Sequence, residues 1–185
     1  MSNFIPEQPK VSQDVPYYDD VLGSDGWQGQ TTGKSIETLK SEIVTAVSRM
    51  GGLVSGFMKG SFQTGKIKRE GYRVIYSIQA PNGNMIPGQI DIAALPCRWN
   101  NRGQASFDKR QQQSLRMALF MLAASIRGLW FLQQLSPGYA GLMPFMLVEG
   151  TNKTISQFWS ESPVMSNLLP PPESDFIDGQ YEVKK

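Results

Sequence analysis

Between Lys59 and Arg116 the chain carries ten Lys and Arg residues against three acids, a local charge of +7 within a net charge of +2. The bases form two groups: Lys59, Lys66, Lys68, Arg69 and Arg73, then Arg98, Arg102, Lys109, Arg110 and Arg116. Phe57, Phe62, Tyr72, Tyr76, Trp99 and Phe107 lie among them. This combination suits single-stranded nucleic acid, because cations follow the phosphates and rings stack on bases that a duplex keeps hidden. Trp99 and Phe62 are the rings expected to stack. The same pattern also fits a solvated basic face whose aromatics belong to the core. Residues 1–30 sum to −4 and residues 149–185 to −3, so acidic termini flank the basic middle. Those termini have two readings of their own: they compete for the basic surface, or they recruit partner proteins.

Other chemistry has little material. With no histidine in the chain, the usual base of a serine triad and a common zinc ligand are missing. The single cysteine, Cys97, has no partner for an internal disulfide and fits a reducing compartment; without an imidazole beside it, it reads as a structural thiol. Between residues 31 and 148 the carboxylates are Glu37, Glu42, Glu70, Asp91 and Asp108. No enzyme, metal or cofactor is expected, and an enzyme would need Asp91, Glu70 or Cys97 together in a closed pocket. Gly29 to Ser35 ends in Gly33-Lys34-Ser35, like a phosphate loop, but the required first glycine is Gln28. Ser35 reads better as the cap of a following helix, with Glu37 in its first turn.

The start of the chain lacks a basic, apolar leader, which gives a cytoplasmic expectation. The apolar run Met117 to Leu132 is broken by Ser125, Arg127 and Gly128 and is short for a bilayer. It reads as a buried helix, with no membrane partner. Arg127 inside it needs a partner, either a carboxylate such as Asp91 or carbonyls that it caps.

The elements follow from periodicity. Residues 1–33 read as a flexible acidic arm that docks through Tyr17, Tyr18 and Trp27. Ile36, Leu39, Ile43, Val47 and Met50 recur every three or four residues, which predicts a helix ended by Gly51-Gly52. Three strands are expected next, over about Leu53 to Phe62, from Tyr72 to Gln79, and from Met85 to Leu95. Thr64 to Gly71 forms the basic tip of the first hairpin, and Asn82-Gly83 the turn of the second. A long helix is expected from an N-cap at Ser106 to about Leu135, its first turns basic and its later turns the core. An edge strand over Leu142 to Val148 and a short helix from Thr154 to Trp159 complete a single α+β domain over residues 34–169. Pro170 to Pro172 then opens an extended acidic tail over 170–185, rich in proline.

An N-terminal helix, three antiparallel strands with a basic hairpin and a long central helix is similar to the core order of single-strand annealing proteins of the phage-recombinase type. The resemblance covers about residues 36–135 and lies in element order and charge placement. It implies a multimeric protein with strand-annealing activity. The second expectation, from the aromatic arm, the proline-rich tail and the nine methionines, is a structural or adaptor subunit of a phage or mobile-element particle, with no catalysis.

Overall fold

The structure, a computed structural model, describes residues 15–64, 67–79, 83–136 and 141–161. It is an α+β arrangement: a helix, a three-stranded antiparallel sheet, a long central helix and a short C-terminal helix. Helix α1 spans Ile36–Arg49. The Ser35 hydroxyl caps it by accepting from the Thr38 N–H at 3.1 Å, as expected of a serine at that position. Its stripe of Leu39, Ile43, Ala46 and Val47 is buried, and Gly51, at φ +80°, supplies the left-handed turn that stops it.

Strand β1 (Gly52–Thr64) pairs antiparallel with β2 (Ile67–Gln79), and β2 with β3 (Met85–Ala93), in the order β1-β2-β3. Along β2, Tyr72, Val74 and Tyr76 are buried against the helices, while Arg73 and Ile75 alternate to the other face. The basic tip is shorter than its composition suggests. The ladder continues through Phe62↔Arg69 and Gln63↔Lys68 to Thr64↔Ile67, so Lys68 and Arg69 are strand residues. Gly60 and Gly71 pair directly opposite each other, where the ladder needs backbone only. Gly71 is required there, because an added Cβ would lie 2.1 Å from the Ile92 carbonyl oxygen and 2.8 Å from the Phe62 ring. Of the second hairpin's turn, Asn82 lies outside the described residues, while Gly83 has the positive φ of +85° that such a turn demands.

Helix α2 spans Gln104–Leu135. Ser106 is not its cap. The chain enters through Gly103 at φ +85°, with no side-chain cap, and Ser106 lies inside the first turn. Its middle, from Ser114 to Ile126, holds the buried residues and joins Leu39, Ile43, Val47, Val74, Tyr76 and Ile90 in one core. The final apolar turns are exposed instead, with Phe131 at 58%, Leu132 at 43% and Leu135 at 81%. By length and hydropathy α2 could cross a membrane, but in this fold its inner side packs on α1 and the sheet.

Two further expectations are corrected. Arg127 does not pair with Asp91. It lies 3.9 Å from Glu42 on α1, while Asp91, in register with Arg73 on the far face of the sheet, bonds that residue. The edge strand is reduced to a 3-10 turn, Met143–Phe145, and two single bridges, Gly88↔Met146 and Leu147↔Thr154, before helix α3 (Ile155–Glu161). Pro144, inside the 3-10 turn, has no N–H to give to a ladder.

Residues 15–33 run back across α2. Val21 is buried with Leu95 and Met117, and Val15, Tyr18 and Trp27 pack around them. The Tyr18 N–H donates to the Pro96 carbonyl at 2.8 Å, and the Gln113 side chain donates to the carbonyls of Gln30 and Thr32 at 2.8 and 3.0 Å.

Candidate nucleic-acid interface

β3 ends at Ala93, opposite Gly71, so β1 and β2 continue beyond it as a two-stranded ribbon. Lys59, Phe62, Lys68 and Arg69 sit on this ribbon or at its base; Lys66 falls outside the described residues. The chain leaving β3 stays at the same end of the sheet. Ala94 N–H donates to the Glu70 carbonyl at 2.8 Å, and the Ser114 hydroxyl on α2 donates to the Leu95 carbonyl at 2.9 Å. From there the loop delivers Arg98, Trp99 and Arg102, then the first turns of α2 with Lys109 and Arg110. The hairpin and this loop, separated in sequence, therefore emerge from one end of the sheet.

The candidate side chains have different surroundings. Trp99 is 61% exposed and leans on Phe107, ring centroids 5.4 Å apart. That leaves a large ring open to solvent with its edge braced. Phe62 is half-buried over Gly71, so packing already uses part of its surface. Lys59 pairs with Glu70 at 3.5 Å across two exposed side chains, an interaction worth little in water. Arg102, Lys109 and Lys68 are exposed. Arg116 is half-buried, donates to the Gln113 amide oxygen at 3.4 Å, and has a buried Nε without a hydrogen-bond partner.

Arg73 is engaged elsewhere. Its Nε and Nη2 donate to the two oxygens of Asp91 at 2.7 and 2.8 Å, a bidentate pair across neighbouring strands. That hydrogen-bonded carboxylate raises the pKa of the guanidinium further.

Arg98 and Arg110 meet partners that the spacing of basic residues does not reveal. The Arg98 side chain donates to Asp20 at 2.7 Å and lies over the Tyr17 ring at 4.8 Å. Arg110 bridges Asp19 at 2.5 Å and the Arg98 carbonyl at 2.8 Å. Asp19 also accepts from the Arg98 backbone N–H at 2.9 Å. Burial pushes the Asp19 carboxyl up, but the Arg98 N–H and the Arg110 guanidinium outweigh it and hold its pKa below the usual carboxylate value. The only signal for this in sequence is the acidic pair Asp19-Asp20 between aromatic and apolar anchors. A second cation site also went unread: the Lys40 ammonium stands 4.7 Å from the Tyr72 ring centroid and 5.7 Å from that of Phe57.

Glu70, Asp91 and Cys97 have separate surroundings. Glu70 is paired with Lys59 and Asp91 with Arg73. Asp91 lines an open cleft of about 180 Å³ with Gln89, Phe145 and Thr154, and neither Glu70 nor Cys97 lines it. Burial, with Asp19 nearby, pushes the Cys97 thiol up to about 11, so it stays protonated at neutral pH. Among the described residues no three His, Cys, Asp or Glu side chains gather as metal ligands. No family model, curated protein or solved structure matches this chain.

Proposed function

We propose that this protein binds single-stranded nucleic acid along the hairpin end of its sheet. The observation that carries the reading is convergence: two basic segments, separated in sequence, emerge at one end of one sheet, the second with an exposed tryptophan. Lys68 and Arg69 on the ribbon and Lys66 beside them in sequence, with Arg98, Arg102 and Lys109 on the loop and helix, hold phosphates. Trp99 stacks on a base. Because rings and phosphates are read without base edges, little sequence preference is expected. Strand annealing and multimer formation extend the proposal by element order. The exposed Phe131, Leu132 and Leu135 at the far end of α2 support contact with another protein surface, including a second copy. The same residues favour the alternative, an adaptor subunit within a larger assembly.

The test is Trp99→Ala. Stacking by one ring is worth about 1–3 kcal/mol per base, so affinity for a short oligothymidine is expected to fall at least about fivefold. Tryptophan fluorescence of the native protein should be quenched on binding, and that quench should shrink in the variant. Unchanged affinity and an unchanged quench would remove Trp99 from the interface.

A further inference from the structure

We infer that Asp20 acts as a built-in phosphate mimic, occupying Arg98 in the free protein and giving way when a nucleic-acid strand binds. The inference rests on the nucleic-acid reading above. A carboxylate oxygen accepts from a guanidinium as a phosphate oxygen does, so the two compete for the same donors.

The two arginine–aspartate pairs differ in how readily they exchange. Arg98 and Asp20 meet at 2.7 Å with side chains 59% and 43% exposed, so solvent screens their attraction and separating them costs little. Arg110 and Asp19 are 20% and 27% exposed, and Asp19 is tied in addition to the Arg98 backbone N–H. Arg110 also holds the Arg98 carbonyl. Arg110 is therefore a positioning residue that stays with Asp19, and Arg98 is the exchangeable phosphate contact.

The segment bearing Asp20 need not detach for this exchange. Its register is fixed by the Tyr18–Pro96 hydrogen bond, by Val21 in its apolar cluster and by the Gln113 side chain. Only the Arg98 side chain and the Asp20 carboxylate change partners. The segment thus sets a threshold: a strand must out-compete an acid already in place, while other anions at low concentration do not.

The experiment compares full-length native protein with Asp20→Asn and Asp25→Asn in titrations of a labelled oligothymidine at several salt concentrations. Asp25 is the charge control, an exposed acid of the same segment whose carboxylate accepts only from the Ser24 hydroxyl at 3.3 Å among the described contacts. Asp20→Asn is expected to bind about twofold to fivefold more tightly, the range set by an exposed ion pair. Its salt slope should stay close to the native one, because Arg98 meets a phosphate in both proteins and the counterion released comes from the nucleic acid. Asp25→Asn should match the native protein, and Arg98→Ala should abolish the gain from Asp20→Asn. If Asp20→Asn gains no more than Asp25→Asn while the native protein binds, the mimic is wrong and the interface stands. If neither the native protein nor Asp20→Asn binds at low salt, the interface fails and the mimic with it.

Discussion

Ten basic side chains look alike in a charge count, but their surroundings divide them. Arg73 spends both ends of its fork on Asp91 and braces the sheet. Arg110 is sheltered, with Asp19 on one side and a carbonyl on the other. Arg98, Arg102 and Lys109 face solvent, where a phosphate can reach them. The Asp19 carboxyl gives this division a pH signature. Its pKa is lowered on folding, so its contribution to stability is present above the unfolded value of about 3.9 and is lost as pH falls through the lower, folded value. Thermal melts from about pH 6 down to about pH 2 should therefore show a smaller acid-side loss for Asp19→Asn than for the native protein. Parallel acid limbs would mean that Asp19 is not held by Arg98 and Arg110. None of these partners was legible in sequence. Asp19 and Arg110 stand 91 residues apart, and no periodicity records a pair so distant.

At the scale of elements, sequence was most informative where one face of an element is buried. The three-and-four spacing of α1 and the alternation of Tyr72, Val74 and Tyr76 are imprints of a core on one side. Where that constraint lapses, the reading slipped. The ribbon beyond β3 has no core beneath it, so Ile67 to Gly71 look like part of a turn although they continue the ladder. The entry of α2 was placed at Ser106 by its side chain, whereas Gly103 makes the turn through its backbone. The apolar last turns of α2 read as core and are exposed, because composition does not tell a buried surface from one awaiting a partner. The ribbon's position sets an expectation of its own. Lys68 is exposed, so changing Lys66 and Lys68 together to alanine should move stability by no more than about 0.5 kcal/mol. It should flatten the salt slope of oligonucleotide binding by about 1.4, two single-strand phosphate contacts. An unaltered slope with native-like melting would place the ribbon outside the interface.

Across the whole molecule, charge is sorted along the chain, and the fold brings part of that sorting together. The acidic stretch before α1 folds back over the loop after β3, so that a chain of net charge +2 carries its own counter-charge beside its basic surface. The α+β class and the order of elements were legible, because they follow from local periods and turn residues. The assembly of the surface was not, because it depends on where β3 stops and on what residues 15–33 cover.

The most direct measurement is fluorescence anisotropy of a labelled single-stranded oligonucleotide titrated with the native protein over a range of salt, with the matching duplex alongside. Binding through about four or more phosphates, with stacking, predicts tighter association with the single strand and a log–log salt slope of about −3 or steeper. Equal affinity for both would keep the cations and discard the stacking. Flat curves at low salt would contradict the account and leave the basic segment a solvated face.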